Sequence, residues 1–204
     1  NSTCITSTDI DGNVYCTIEI GDQVWMSENL KTTHYNNGDA IQYVQSESSE
    51  PDVWENLSTG AYGYYNDDLS HQETYGNLYN WYTVDDSRGV CPVGWHIPSD
   101  DEFTVLTDYL EGILVAGGKM KSTGTIEGGD GLWDEPNEGA TNESGFTALP
   151  SGYYSVEGFK HLGSTGYFWS GNQALGQFLD TESDNLIHIP SSKSSYYSIR
   201  CLKD

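Results

Sequence analysis

The chain has 204 residues, with 31 Asp and Glu against 8 Lys and Arg, giving a formal net charge of -23. That balance excludes a general nucleic-acid-binding protein, because phosphate recognition depends on clustered basic residues, and it disfavours an anionic membrane surface. No stretch reaches the roughly 18 apolar residues of a membrane span, so membrane insertion is not expected. A chain of this length buries a sizeable core, which six Trp, fifteen Tyr and five Phe should dominate.

The N-terminal part predicts a turn followed by a β-hairpin. Residues 14 to 20 alternate apolar and polar side chains, and Gln23–Met26 follows a Gly-Asp turn as the return strand. The preceding Asp9-Ile10-Asp11-Gly12-Asn13 resembles the opening of a calcium-binding loop. Ile20 stands where an EF-hand needs a bidentate Glu, so a plain turn is favoured.

Weaker signals follow. Residues 31 to 74 are rich in Asn, Asp, Ser, Gly and Tyr without lasting periodicity, which indicates a long irregular region held by its aromatic side chains. In the segment from 75 to 84, Leu78, Trp81 and Tyr82 lie at positions i, i+3 and i+4, which predicts a short helix.

A second helix has a stronger signature. Ser99 and Glu102 form a capping box, and three acidic residues after Ser99 favour the positive end of a helix. The expected buried stripe is Phe103, Leu106 and Leu110. Gly112 is placed to end the helix. From residue 117 onward the pattern predicts loops and short strands at 167–169, 186–189 and 198–202, so the elements together indicate an α+β domain.

Four cysteines suggest disulfides, since none has the spacing of a zinc site. Three connectivities are possible. Cys4 and Cys16 flank a short turn, whereas Cys91 and Cys201 would join the middle of the chain to its end, and this pairing is favoured. Disulfides in turn predict an oxidising compartment, so the protein is expected to be secreted, periplasmic or at the cell surface.

Six segments occur in the order of a known family. They are DIDGNVY from Asp9, QVWMSENL from Gln23, YGNLYNW from Tyr75, CPVGWHIP from Cys91, TNESGFTALP from Thr141 and SIRC from Ser198. Together they resemble the Fibrobacter succinogenes major paralogous domain, found widely in Bacteroidetes and Fibrobacteres, over about residues 9 to 204.

The resemblance implies a fold similar to C-type lectins and the formylglycine-generating enzyme. The expected architecture is one α+β domain over residues 1–204, with two short helices, small antiparallel sheets and long loops. Residues 1–30 would form an N-terminal hairpin extension and 75–204 a lectin-like core. The implied disulfide from an early segment to the last strand agrees with Cys91 and Cys201, while Cys4 and Cys16 look like an added local staple.

One loop offers oxygen ligands of the kind that Ca²⁺ prefers. The candidate calcium ligands are Asp134, Glu135, Asn137, Asn142 and Glu143. Glu135-Pro136-Asn137 also matches the short sugar-binding signature of calcium-dependent C-type lectins, but their later Trp-Asn-Asp motif is absent, Trp169-Ser170-Gly171-Asn172 being its nearest echo. The alternative is an acidic loop held by Asx turns, without metal.

Aromatic side chains in loops provide a metal-free route to sugars, because apolar sugar faces stack on aromatic rings. The loop aromatics are Trp54, Tyr64, Tyr65, Trp133, Tyr153, Tyr154, Tyr196 and Tyr197. With the polar groups of the acidic loop, the candidate ligand-binding residues are Trp133, Glu135, Asn137, Trp54, Tyr153 and Tyr154. The alternative is that most of these rings are core.

Catalysis is not expected. Nothing singles out a general acid from a base among 31 acidic residues, and the five histidines are widely spaced, with His96 expected to bond to backbone. The formylglycine-generating relative uses free cysteines, whereas all four here are predicted disulfides. We therefore expect a non-catalytic surface module that recognises carbohydrate or a surface polymer through loops at 120–197; the alternatives are a structural or adhesive subunit that associates with itself or other surface proteins, and an oxidase-like enzyme.

Overall fold

The computed structural model describes residues 4–45 and 53–204. Its strands are β1 (Ile5–Thr8), β2 (Val14–Ile20), β3 (Gln23–Met26), β4 (Gln42–Tyr43), β5 (Ala61–Gly63), β6 (Leu78–Asn80), β7 (Trp95–His96), β8 (Ser151–Ser155), β9 (Gly158–Leu162), β10 (Thr165–Trp169), β11 (Leu175–Asp180), β12 (Ile187–Pro190), β13 (Tyr196–Tyr197) and β14 (Leu202–Lys203). Its helices are α1 (Val53–Asn56), α2 (Leu69–Tyr75), α3 (Trp81–Val84), α4 (Asp100–Tyr109) and α5 (Ile113–Met120), with a 3-10 turn at Tyr65–Asp67.

The strands form two sheets. The five-stranded sheet has the order β1-β2-β3-β14-β7, and Leu202 of the C-terminal strand pairs with both Trp25 and His96. The nine-stranded sheet has the order β12-β11-β10-β8-β13-β6-β5-β4, with β9 paired to β8. The N-terminal hairpin is thereby joined to the end of the chain through β14.

The α+β, C-type-lectin-like prediction is wrong. The described part of the chain is mostly β, its longest helix has only 10 residues, and one sheet contains nine strands rather than several small sheets. The predicted irregular region supplies β4 and β5 to that sheet, and the predicted loop after residue 150 supplies β8, β9 and β11. These strands have only two to six residues each, too short for a lasting period in the sequence.

The helix predicted over residues 75 to 84 is also wrong in its first half. Leu78, Tyr79 and Asn80 form the fully buried strand β6, and Asn80 then caps α3 by accepting a hydrogen bond from the Thr83 backbone N–H at 3.1 Å. Burial between two neighbouring strands outweighs the helical spacing of the apolar residues, because tertiary context routinely overrides local propensity.

Helix α5 has no counterpart among the predicted elements. Its sequence contains Gly117 and Gly118, which weaken a helix by about 1 kcal/mol each relative to Ala. Both glycines are required by close packing, since a Cβ on Gly117 would lie 2.2 Å from the Asn185 carbonyl oxygen and one on Gly118 would lie 2.4 Å from that of Gly139. Helix α5 therefore packs directly on the backbone of two later loops.

The local predictions with strong signals are confirmed. The hairpin is present as β2 and β3, and α4 begins at a complete capping box in which Ser99 and Glu102 bond each other's backbone N–H. Of the strands predicted after residue 117, those at 167–169 and 186–189 are present as β10 and β12. In the segment predicted at 198–202, only Leu202 belongs to a strand, β14. Within the described residues, every helix is too short or too polar to span a bilayer.

Aromatic side chains dominate the interior, as the composition predicts. Trp25 lies against Phe103 and Phe146, with ring centroids 5.2 and 5.5 Å apart. The largest fully buried side chains are Trp25, Trp54, Trp133, Trp169, Arg200, Tyr15, Tyr35, Tyr79, Tyr196, Phe103, Lys121 and Phe146. Two of these are cations, which is unusual in a core.

Arg200 joins three parts of the chain. Its Nε donates to the Asn29 side-chain oxygen at 2.8 Å, and its Nη atoms donate to the backbone carbonyl groups of Met26, Phe146 and Thr147. Burial lowers the pKa of its guanidinium to about 9. The cation is satisfied by carbonyl and amide oxygens, without a carboxylate partner in the described residues.

Both predicted disulfides are present. Cys4 bonds to Cys16 across 12 residues, and Cys91 bonds to Cys201 across 110 residues. The second bridge is buried beside Arg200, so it fixes the C-terminal strand to the segment before β7. No cysteine is free.

We predict that the two bridges differ in their contribution to stability. Replacing Cys91 and Cys201 by Ala should lower the free energy of unfolding by about 4 to 5 kcal/mol, because the bridge closes a loop of more than 100 residues. Replacing Cys4 and Cys16 should cost about 3 kcal/mol or less, because that loop is short. Urea denaturation measures both. A larger loss from the Cys4 and Cys16 pair would contradict the prediction.

Candidate functional site

An aromatic strip crosses one face of the nine-stranded sheet. It consists of Tyr153 on β8, His161 on β9, Tyr167 on β10 and Phe178 on β11. Tyr167 pairs directly with Phe178, and their rings are 4.9 Å apart. The Tyr153 ring lies 4.8 Å from Tyr167 and 5.7 Å from His161, stacked on the latter. The three larger rings are half-buried and His161 is exposed, so the strip presents ring surface to solvent.

A buried layer holds the strip in place. Tyr197 stacks on Tyr167 at 4.7 Å and contacts Trp169 at 4.4 Å. Trp169 donates its indole N–H to the Tyr79 carbonyl oxygen at 2.7 Å. The strip rings are therefore packed against buried aromatic rings on the same face of the sheet, and ordering them for a ligand costs little side-chain entropy.

Polar side chains flank the strip on the same face. Lys160 pairs with Tyr153, and Asp180 pairs with Thr165, so both share its side of the sheet. Burial first, then the neighbouring Tyr197, Tyr153 and Asp180, raises the pKa of Tyr167. Its hydroxyl therefore keeps its proton and can both donate and accept hydrogen bonds.

The structure brings only one of the predicted aromatic ligand residues to this surface. Tyr153 belongs to the strip. Trp54, Trp133 and Tyr154 are at most 7% exposed, which is a correction to their predicted role in stacking. Trp54 lies against Tyr154 with ring centroids 3.9 Å apart, and the Trp133 indole N–H donates to Ser122 Oγ at 3.1 Å. Trp54 lies on α1, Tyr154 on β8 and Trp133 on a loop, and all three rings are part of the core.

Several of the predicted calcium ligands bond to protein groups. Asn142 uses both ends of its amide on Thr147, and Glu143 pairs with Lys119 at 3.0 Å. Asn137 is buried and its Nδ2 donates to two carbonyl groups of residues 122 and 124. Burial and the Glu127 charge raise the pKa of Asp134. Within the described ranges, no three His, Cys, Asp or Glu side chains are placed to hold a metal.

Glu135 remains exposed on this loop, before a cis peptide bond to Pro136. Its backbone N–H donates to Glu127 Oε2 at 3.0 Å. Of the six predicted ligand-binding residues, Glu135 and Tyr153 thus keep exposed or half-exposed side chains.

A buried lysine ammonium binds backbone carbonyl groups beside this loop. Lys121 is fully buried, and its Nζ donates to the carbonyl oxygens of Glu138, Asp180 and Ser183 at 2.7 to 2.8 Å. Burial lowers its pKa to about 8, while the nearby carboxylates oppose that change. The three carbonyl groups come from the acidic loop and from the end of β11, so Lys121 ties the two together.

The N-terminal Asp-rich segment is a turn, as favoured from sequence. Asp9 Oδ1 accepts hydrogen bonds from the backbone N–H groups of Asp11 and Asn13 at 3.0 and 2.9 Å. Its other oxygen accepts from the Tyr15 hydroxyl at 2.6 Å. With its oxygens used in this way, Asp9 is committed to shaping the turn.

His96 bonds to two carboxylates rather than to backbone. Its Nδ1 lies 2.7 Å from Asp204 Oδ1 and its Nε2 lies 2.9 Å from Glu102 Oε1. Burial lowers the pKa of His96, but the hydrogen bonds to Asp204 and Glu102 outweigh it, and the pKa is raised overall. These two contacts, called the His96 clamp below, link Asp204 to the N-terminal cap of α4.

Comparison with known proteins assigns the family. The Fibrobacter succinogenes major domain matches residues 18–203. The chain belongs to that family. No curated protein and no solved structure matches the chain. The fold of this Fibrobacter succinogenes major domain is therefore described from its own five-stranded and nine-stranded sheets.

Three residues of the strip had escaped the sequence reasoning. Tyr167 lies in the strand predicted at 167–169, His161 is one of five widely spaced histidines, and Phe178 lies in a segment for which no strand is predicted. A usable signal exists in the alternation of Thr165, Tyr167 and Trp169, which places Tyr167 on one face of a strand. The pairing of β10 with β11 is not visible locally.

We predict that Lys121 stabilises the domain through its three carbonyl contacts. Replacing Lys121 by Met should lower the free energy of unfolding by about 3 kcal/mol or more, because three buried acceptors lose their donor. Lys193→Met is the matched control, since Lys193 is exposed. Urea denaturation of both variants measures the effect. A loss below about 0.5 kcal/mol, typical of surface substitutions, would contradict it.

We predict that the His96 clamp makes stability depend on pH. The raised pKa of His96 means that its contribution is present below the ordinary value of 6.5 and is lost as the pH rises through the raised pKa. On balance, the Ser99 and His96 hydrogen bonds outweigh burial and lower the pKa of Glu102, so its contribution is present above 4.5 and lost as the pH falls.

The melting temperature of the wild type should therefore exceed that of His96→Gln most clearly between pH 4.5 and 6.5. Thermal melts across this range, with His161→Gln as the control histidine variant, measure the difference. A constant difference at all pH values would show that His96 acts by packing alone.

Proposed function

We propose that this chain is a non-catalytic binding module of a secreted or cell-surface bacterial protein, and that it recognises a carbohydrate or a surface polymer through the aromatic strip. The observation that carries the proposal is the row of Tyr153, Tyr167 and Phe178, with successive ring centroids 4.8 and 4.9 Å apart. The two disulfides favour an oxidising location outside the cytoplasm.

The chemistry of the strip suits a sugar chain. Aromatic rings offer apolar faces for the C–H surfaces of pyranose rings, and flanking polar groups supply hydrogen bonds to their hydroxyls. The Tyr167 hydroxyl, Lys160 and Asp180 stand at the borders of the strip and provide those partners. Several rings in a row favour a polymer over a single sugar, because a chain of sugars can contact the faces and edges of all three rings, which are inclined to one another by 61° and 43°.

The proposed site works without calcium. The strip is built from β8, β9, β10 and β11, and stacking on aromatic rings needs no metal ligand. In the loop predicted to hold calcium, the Asn142 amide and the Glu143 carboxylate are engaged with protein groups. A chelator should therefore leave glycan binding unchanged.

A second candidate is a structural or adhesive subunit that associates with itself. It is favoured by β1, the terminal strand of the five-stranded sheet, which carries no charged residue in a chain of net charge -23. Ile5 on this strand is 75% exposed. An uncharged open edge is able to pair with another strand.

We predict that the strip determines glycan binding. On an array of neutral and acidic polysaccharides, the wild type should bind a subset of glycans equally with calcium and with EDTA. Tyr167→Ala should weaken that binding about tenfold, equivalent to about 1.4 kcal/mol, because a stacking surface is lost. Tyr109→Ala is the matched control, since Tyr109 is an exposed tyrosine on α4 outside the strip.

Size-exclusion chromatography and electron microscopy of the same sample test the second candidate. Flat binding to every glycan, together with filaments or lattices, would overturn carbohydrate recognition and support self-association. Binding that disappears with EDTA would overturn the metal-free site.

A further inference from the structure

A cleft of about 520 Å³ lies between α4, α5 and β12. Its aliphatic wall belongs to α5: Leu114 is 69% exposed and Ile113 is 50% exposed. Two exposed aliphatic side chains beside one concavity favour a ligand with an apolar part, because covering them removes apolar surface from water.

One end of the cleft is polar and organised. His188 Nδ1 lies 2.8 Å from Asp100 Oδ1, so this nitrogen donates to the carboxylate and the lone pair of the neutral ring lies on Nε2. Neither His188 Nε2 nor Asp100 Oδ2 has a hydrogen-bond partner among the described residues. A carboxylate oxygen and an imidazole nitrogen are thus both available as acceptors beside the aliphatic wall.

A buried glutamine holds this carboxylate. Gln177 is fully buried in β11, and its Nε2 donates to Asp100 Oδ1 at 3.0 Å. Its own Oε1 is buried without a hydrogen-bond partner. An unsatisfied buried amide oxygen costs about 1 to 3 kcal/mol. A sequence selected for stability alone would place an apolar side chain here, so we read Gln177 as a positioning residue for Asp100.

The cleft borders an open strand edge. β12 is the terminal strand of the nine-stranded sheet, paired with β11 on one side only. A terminal strand offers backbone N–H and C=O groups to an added strand. Ile187 and His188 belong both to this strand and to the cleft lining, so a chain paired along β12 would pass directly beside the cleft.

We propose that this cleft, together with the outer edge of β12, binds an extended peptide segment of a partner protein. A Lys or Arg side chain of the segment pairs with Asp100 Oδ2 and His188 Nε2, and a neighbouring aliphatic side chain packs on Ile113 and Leu114. Charge supports a basic partner, because the cleft lining contains an acid and no Lys or Arg, in a chain of net charge -23.

Selection of displayed random heptapeptides on the purified chain tests the proposal. Recovered peptides should be enriched in Lys or Arg next to aliphatic residues, and fluorescence polarisation of those peptides gives their affinities. Asp100→Asn and Leu114→Asp should each weaken binding at least tenfold. Asp101→Asn is the matched control, since Asp101 is exposed in the same helical turn outside the cleft, and it should change affinity less than twofold.

Gln177→Leu separates positioning from structural support. It should keep or raise the melting temperature, because a buried unsatisfied amide is removed, and it should weaken peptide binding. Leu114→Asp changes an exposed side chain, so it keeps the test valid if Asp100→Asn does not fold. Two results would each overturn the proposal: no enrichment of basic residues, or equal binding by the Asp100 and Asp101 variants. Unchanged binding in Tyr167→Ala would establish that the peptide and glycan surfaces are separate.

Discussion

The domain depends on buried cations that are satisfied by backbone carbonyl groups instead of carboxylates. Arg200 contacts Met26, Asn29 and the loop at residues 146 and 147, so one guanidinium connects the N-terminal hairpin, a long loop and the C-terminal segment. Removing a cation from water costs several kcal/mol, which the four hydrogen bonds of this guanidinium help to offset. The arrangement therefore demands accurate placement of segments far apart in sequence, and the Cys91 bridge next to Arg200 limits how far they separate.

Strand β11 supports both proposed surfaces. Gln177 and Phe178 are consecutive, so their side chains point to opposite faces of the sheet. Phe178 belongs to the aromatic strip, while Gln177 holds Asp100 at the peptide cleft.

The excess of acidic residues is concentrated in one part of the chain. Residues 122–159 contain seven acids and no Lys or Arg, and the buried ammonium of Lys121 anchors the loop within this acidic stretch. A neutral glycan or a basic peptide is compatible with such a surface, whereas an anionic polymer is repelled.

Short-range signals predicted the elements that depend on neighbouring residues. The capping box of Ser99 and Glu102 and the alternation of the first hairpin each involve contacts within a few positions, and both elements are present. Cysteine spacing predicted the two bridges, and the ordered motifs predicted the family. For the candidate site, the sequence correctly predicted Tyr153 as a partly exposed ring, but it also predicted Trp54 and Trp133, which are buried. Residue type alone does not distinguish a ring that faces the core from one that faces water.

Tertiary structure decided the rest. Leu78 and its neighbours became a strand because β5 and β13 lie on either side of them, and α5 forms around two glycines because the loop at Asn185 approaches its backbone. The sequence by itself determined the acidity, the aromatic composition and the locally capped elements, because those are properties of residue types and short spacings, and it favoured one of three disulfide pairings. The nine-stranded sheet, the aromatic strip and the cation of Lys121 arise only from pairings across many tens of residues, where no local pattern records which segments meet.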